Sequence, residues 1–188
     1  KVSIINSDPK KGTATGEGRY DYQSEFTLKA TPNEGYSFAG WYLGGSLIGD
    51  TNPYTQKMYD RDLAFEVRWS NNKYNLTVES SDESKGIVSG AGSFEYTSHH
   101  FIEATPKENY DFEGWYLNDI KVSSSAQYDV LMPNHDTHFV AKWKLHNYKI
   151  IYNLDGGINN ANNPSTYTIE DSVTLLSPTK EGYTFVAW

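Results

Sequence analysis

The sequence contains no cysteine. Disulfide frameworks, cysteine-ligated metal sites and thiol nucleophiles are therefore excluded. Basic side chains are scarce as well: 16 Lys and Arg stand against 24 Asp and Glu, a net charge of −8. The imbalance is eight basic against nine acidic over residues 1–69, six against eleven over 70–144 and two against four over 145–188. An acidic surface repels phosphates, so nucleic acid, heparin-like polyanions and anionic lipid are poor partners. No apolar run approaches the roughly 20 residues of a membrane-spanning helix, and no stretch shows a clean 3.6-residue period. Little helix and no direct membrane insertion are expected. The first residues carry no signal-peptide pattern, so a soluble segment is expected, with any export signal or anchor outside it.

Aromatic residues and glycine are abundant, with 15 Tyr, 8 Phe, 5 Trp and 15 Gly. They recur in order. Gly35-Tyr36-Ser37-Phe38-Ala39-Gly40-Trp41 returns as Asn109-Tyr110-Asp111-Phe112-Glu113-Gly114-Trp115 and again as Gly182-Tyr183-Thr184-Phe185-Val186-Ala187-Trp188. Residues 1–69 align without a gap on 75–143, with 23 identities at an offset of 74. The identities fall mainly on turn and core residues, among them Gly12/Gly86, Ala30-Thr31-Pro32/Ala104-Thr105-Pro106, Met58/Met132, Phe65/Phe139 and Trp69/Trp143. A repeat of this kind resets the domain count. It divides the chain into modules 1–70, 71–144 and 145–188, the third stopping at Trp188. A unit of that size buries only about 60% of its unfolded surface, and without disulfides its tryptophans are expected inside.

Period-2 alternation marks strands. Val2-Ser3-Ile4 and Leu76-Thr77-Val78 alternate, as does Tyr148 through Leu154. Tyr20, Tyr22, Ser24, Phe26, Leu28 and Ala30 fall on one face of a strand that the Thr-Pro pair ends, since proline lacks the ladder donor. Alternation places Tyr36, Phe38, Gly40 and Tyr42 on one face and Trp41 with Leu43 on the other. Such a strand, apolar on both sides, is expected to be central, with Gly40 and Gly114 admitting a close neighbour. Trp69 to Tyr74 and Trp143 to Tyr148 are equal steps. Such short connectors leave little freedom, so an elongated, semi-rigid rod is expected.

Residues 148–188, with Tyr-x-Ile-x-Tyr-x-Leu-Asp-Gly-Gly, Asn162-Asn163-Pro164 and Ser177-Pro178-Thr179-Lys180-Glu181-Gly182-Tyr183-Thr184-Phe185, resemble the internalin-type B repeat, also called the Listeria-Bacteroides repeat. Residues 1–144, with Ala-Thr-Pro, Tyr-x-Phe-x-Gly-Trp-Tyr and Phe139-Val140-Ala141-Lys142-Trp143, resemble its divergent form. The resemblance implies small, mainly β, β-grasp-like modules in tandem, in secreted or wall-anchored bacterial surface proteins, with no catalytic residues. It also implies an extracellular location at the cell surface. Asn109 and Ala187 depart from the family's glycines. Measured from Trp41 to Trp69, the third module is expected to lack about 28 residues and to expose a sheet edge. A monomer is expected, with edge-strand association through that module as the exception.

Candidate chemistry is sparse. His135 and His138, beside Asp136, read as an exposed turn rather than a metal pair, because three-residue spacing on a strand points the rings apart. His99 and His100 likewise diverge, with His100 at the position of Phe26 as a half-buried, hydrogen-bonded ring. Ser123-Ser124-Ser125 forms no nucleophile elbow. Asp60/Asp62 and Asp82/Glu83 read as solvated turn carboxylates, although Asp62/Asp136 and Asp8/Asp82 persist between repeats. Gly16-x-Gly18 has no helix behind it to hold phosphate. No catalytic, cofactor or metal residue is assigned. Tyr42 and Tyr116, with Asn118 and Asp119 in the divergent loop, are the candidate interaction surface. The sequence supports two functions: a non-enzymatic stalk that displays a distal domain, or an adhesive module for a host or neighbouring-cell protein or glycan.

Overall fold

The computed structural model describes residues 1–188 and contains strands, turns and bends but no helix. The first repeat carries β1 (Val2–Asn6), β2 (Gly12–Thr15), β3 (Glu25–Pro32), β4 (Tyr36–Leu43), β5 (Ser46–Gly49), β6 (Tyr54–Lys57) and β7 (Leu63–Asn71). They form a sheet in the order β1-β7-β4-β5 and a second in the order β2-β3-β6. The second repeat carries β8 (Lys73–Ser80), β9 (Gly86–Ser89), β10 (Gly92–Glu95), β11 (His99–Pro106), β12 (Tyr110–Leu117), β13 (Ile120–Ser123), β14 (Gln127–Leu131) and β15 (Thr137–Leu145). Its sheets, β10-β8-β15-β12-β13 and β14-β11-β9, repeat the same order with β10 added. The addition has a forerunner: Gly92 pairs with Leu76, and the equivalent Gly18 makes a lone bridge to Val2. The chain forms two compact units, one of residues 1–77, 90–101 and 129–137, the other of 78–89, 102–128 and 138–188.

The last strand of each repeat organises its sheet. β7 runs parallel to β1, with Val2 opposite Leu63 and Ile4 opposite Phe65, and antiparallel to β4, with Phe38 opposite Trp69 and Trp41 opposite Val67. Successive residues of a strand face opposite sides. Leu63, Phe65, Val67 and Trp69 are accordingly buried while the residues between them are not. They join Phe26, Leu28 and Ala30 of β3 in one core, where Phe26 lies 5.6 Å from Phe65 between ring centres. β15 shows the same alternation.

Simple alternation fails once in each repeat, for a physical reason. The β4–β7 register shifts between Phe38 and Gly40, and the β12–β15 register shifts between Phe112 and Gly114. A bulge inserts one residue and reverses the phase of the rest of the strand. Phe38, expected opposite Trp41, therefore packs beside it at 5.6 Å. Phe112 meets Trp115 at 5.7 Å. Tyr42, expected to share a face with Phe38, is left on the other side. β4 is central, as its apolar faces implied, and a Cβ on Gly40 would lie 2.5 Å from Leu47.

The strand expected from Tyr20 starts only at Glu25. Gln23, at φ 67, turns the chain there, and the Ser24 amide and hydroxyl both donate to the Asp21 carbonyl. Thr97 and Ser98 repeat the device. Asn109 takes the place of Gly35 at φ 71, a left-handed conformation that asparagine tolerates.

Four of the five tryptophans are interior. Trp41 and Trp115 are 0% exposed, Trp69 and Trp143 9%, and Trp188 49%. Trp69 donates its ring N–H to Asn6 Oδ1 at 2.9 Å, and Asn6 Nδ2 donates to the Gly12 carbonyl. Trp143 donates to Ser80 Oγ, whose hydroxyl donates to Gly86. Gly12 and Gly86 lie directly under these rings, where a Cβ would collide. One polar residue and one glycine thus seat each tryptophan, and Asn and Ser serve equally.

In residues 145–188 only β16 (Tyr148–Lys149) and β17 (Thr166–Tyr167) form a ladder, with Tyr148 opposite Tyr167. The strand expected across Tyr148–Leu154 is confined to its first two residues.

Burial predicts unequal costs for aromatic residues. Trp115→Ala should destabilise its repeat by about 3–5 kcal/mol, whereas Tyr22→Ala, at a side chain 67% exposed, should cost less than about 1 kcal/mol. Urea denaturation followed by far-UV circular dichroism compares the two.

Candidate functional site

The bulge leaves Tyr42 and Tyr116 on the outer face of their sheets. Arg68, two residues beyond Glu66 on β7, lies over the Tyr42 ring with its guanidinium carbon 4.0 Å from the ring centre. Glu66 holds it by two parallel bonds, Nε to Oε1 at 2.9 Å and Nη2 to Oε2 at 2.7 Å. This charge-assisted fork lowers the Glu66 carboxyl below its ordinary value and raises the Arg68 guanidinium. In the second repeat Lys142 lies over Tyr116 at 4.2 Å. The Tyr116 hydroxyl donates to Glu113 Oε1 at 2.9 Å, which with burial pushes the phenol up. Glu113 is the residue inserted by the bulge. An aromatic ring under a cation is worth about 0.5–1 kcal/mol at such exposed positions.

Asn118 and Asp119 have a backbone role. At φ 49 and φ 61 they form the two-residue turn between β12 and β13, matching Gly44 and Gly45 at φ 58 and φ 83. Positive φ at both positions suits the twist of a hairpin. Asp119, its side chain 97% exposed, pairs with Lys142 at 3.6 Å. The structure thus brings Tyr116 and Asp119 to one cation, while Tyr42 lies under the equivalent cation of the first repeat. Sequence reading missed Arg68, Lys142, Glu66 and Glu113. The available signal was a basic residue at offset 74, which a count of identities passes over.

The other candidates have local duties. Ser98 Oγ lies 2.9 Å from His100 Nε2 and donates its single proton to the Glu95 carbonyl at 2.5 Å. His100 must then be the donor, the reverse of a general base activating a nucleophile. Its ring stacks on Phe94 at 3.5 Å, while His99 faces Asp129 at 2.9 Å. His138 lies on β15 rather than in the expected turn and pairs with Glu79 at 3.2 Å. His135 contacts the Asp136 carbonyl. No three His, Asp or Glu side chains are grouped to hold a metal ion. Ser125 closes its loop through its amide to Ser123 Oγ. Asp8 and Asp82 accept from amides two residues on.

Asp62 and Asp136 do more than close a turn. Asp136 accepts the Asn75 amide at 2.8 Å and Asn75 Nδ2 at 3.2 Å, and Asp62 accepts the main-chain nitrogen of the equivalent Lys1 at 2.8 Å. Each carboxylate clamps the start of its repeat's first strand beside the closing strand.

The connectors are also held. Asn72, the single residue between β7 and β8, donates its amide to the Gly35 carbonyl at 2.9 Å, and Ser37 donates to Asn72 Oδ1 at 2.5 Å. The Asn72 carbonyl accepts the Tyr96 amide, and Tyr96 packs edge-on against Tyr36 at 5.2 Å. His146 occupies the equivalent place, donating to the Asn109 carbonyl at 2.8 Å and meeting Asp111, the counterpart of Ser37, at 2.8 Å.

Two small all-β units in tandem, each closed by its last strand and followed by a bonded connector, define a modular repeat protein. The chain belongs to the divergent InlB B-repeat family, which it matches over residues 3–73 and 75–147. Residues 148–188 match the Listeria-Bacteroides repeat domain. Over its whole length the chain is 27% identical to a protein of Evansella cellulosilytica provisionally described as a membrane protein, and spans 28% of it. A Gly-rich protein of the same bacterium, also provisionally described as a membrane protein, is 26% identical over 98% of the chain and 21% of its own length. Internalin H of Listeria monocytogenes is 32% identical over 45% of the chain and 15% of its own length. The chain therefore spans less than a third of these curated relatives. No solved structure gives a significant match. No helix is long and apolar enough to cross a membrane.

The clamps predict an acid response. The amide of Asn75, then its side chain, holds the Asp136 carboxyl below the ordinary carboxylate range. A carboxyl with a lower pKa folded than unfolded contributes fully above its unfolded value, near about 4, and loses that contribution as pH falls through the folded one. Asp136→Asn should lower the urea midpoint at neutral pH and flatten the loss on acidification. Equilibrium denaturation at stepped pH measures both, and an acid slope equal to wild type would remove the clamp role.

Proposed function

We propose that the chain is a non-enzymatic spacer segment of a bacterial surface protein, exposed outside the cell and holding another domain away from it. The observation that carries this reading is the repeated connector. Asn72 and His146 bond back to the same turn of the repeat they leave, so the chain between modules is pinned rather than free. The set of residues that recurs between repeats also suits a spacer, because it is the buried and turn-forming set. On the outer face, by contrast, Ile5 becomes Glu79, Leu47 becomes Lys121 and Glu66 becomes Val140. The relatives provisionally described as membrane proteins and internalin H support a surface location.

One observation favours a second reading. Tyr42 under Arg68 and Tyr116 under Lys142 preserve an aromatic–cation pair on the outer face, which suits an adhesive module for a host or neighbouring-cell protein or glycan. The readings separate when copies of residues 1–144 are placed between a cell anchor and a reporter domain. A spacer predicts that reporter accessibility to antibody rises with copy number and survives exchange of residues 118–127 for 44–53. Accessibility independent of copy number would overturn the spacer reading. A glycan or protein ligand lost with Tyr42→Ala and Tyr116→Ala would establish the adhesive one.

A further inference from the structure

The joint between the first two repeats carries one ring across from the second to the first. β10 runs antiparallel to β8, from Gly92 opposite Leu76 to Glu95 opposite Lys73, so the next residue, Tyr96, arrives beside the connector. Both of its main-chain groups are taken there. Its amide donates to the Asn72 carbonyl at 2.8 Å, and its carbonyl accepts Asn71 Nδ2 at 2.9 Å. Asn71 is in turn held from the first repeat, where Lys11 Nζ donates to its Oδ1 at 2.9 Å.

The ring of Tyr96 lands on Gly35. That glycine is buried at φ 85, and a Cβ on it would collide with the Tyr96 ring, while the neighbouring Tyr36 ring meets Tyr96 edge-on at 5.2 Å. The missing side chain is the seat. All these residues fall in the compact unit that joins residues 90–101 to 1–77. The joint after the second repeat lacks both halves of the fit. Asn109 stands at the place of Gly35 and keeps its left-handed backbone but adds a Cβ, and its side-chain oxygen accepts the Tyr148 hydroxyl at 2.9 Å instead. Leu145 stands at the place of Asn71 and has no side-chain amide to hold a carbonyl.

We propose that Gly35 is a socket for the tyrosine of the following repeat, and that the Tyr96 ring seated in it couples the stabilities of the first two repeats. Opening either repeat alone strips the ring of its partners, so each repeat carries the free energy of the contact in addition to its own. Stability passes along a repeat array through such shared interfaces, and the coupling is reciprocal. The socket fits a repeat with an aromatic residue directly after its β10 strand. A side chain in the socket, as at Asn109, excludes it. The coupling goes beyond the spacer reading and is independent of what the segment displays or binds.

The test is native-state amide hydrogen exchange in the intact chain, read by NMR at Phe65 and Val67 of β7 and at Phe139 and Ala141 of β15. Tyr96→Ala lies in the second repeat, yet should speed exchange at Phe65 and Val67 by about tenfold. Gly35→Asn lies in the first repeat, copies a residue that keeps this turn at Asn109, and should speed exchange at Phe139 and Ala141 by a similar factor. Each substitution tests the coupling without the other, and combining them should add nothing to either cross-effect. Tyr96→Phe keeps the ring and should leave both repeats at wild-type rates. Three results would overturn the proposal: each substitution acting only within its own repeat, additive cross-effects in the double variant, or a full cross-effect from Tyr96→Phe.

Discussion

Each complete repeat depends on one strand that arrives last in sequence and stands between the first strand and the aromatic strand of its sheet. β7 supplies four buried side chains, satisfies the ladder groups of both β1 and β4, and carries the tryptophan that closes over Gly12. Backbone donors and acceptors in a sheet need partners on both sides, so its neighbours cannot join directly.

The comparison of repeats also shows which contacts tolerate chemical substitution. Asn6 and Ser80 seat their tryptophans equally, because the ring N–H needs only an oxygen acceptor that itself bonds the glycine carbonyl. Gly44-Gly45 and Asn118-Asp119 share a positive-φ turn. Elsewhere a substitution has a cost. Ala126 accepts both the Ala104 amide and the Trp115 ring N–H through its carbonyl. At the equivalent position Asn52 bonds both main-chain groups of Ala30 through its side chain, and the Trp41 N–H has no partner. A buried, unpaired donor costs about 1–3 kcal/mol.

Function in such a module is a property of surfaces and joints. Asn72 and His146, although chemically unlike, occupy one position and make the same amide bond to the preceding turn. Their side chains meet different partners, Ser37 in one case and Asp111 in the other. The recurring parts are those a folding unit needs in order to close and connect, and the varying parts are those solvent or a partner would meet.

Much of this was legible in the residues. The offset of 74, the period-2 runs of β3 and β7, the centrality of β4, the inward tryptophans and the turn carboxylates all arise from local preferences and side-chain direction, which a sequence carries directly. The phase of Phe38 against Trp41, the cations over Tyr42 and Tyr116, the clamp from Asp136 to Asn75 and the parallel pairing of β1 with β7 did not. A single inserted residue reverses a strand's faces without changing its composition, and pairing across some 60 residues leaves no periodic trace. By itself the sequence determined the unit, its strands and its core residues, because those depend on neighbours along the chain. Only the tertiary structure decided which face each aromatic took and which charges met, because those depend on the strand packed alongside.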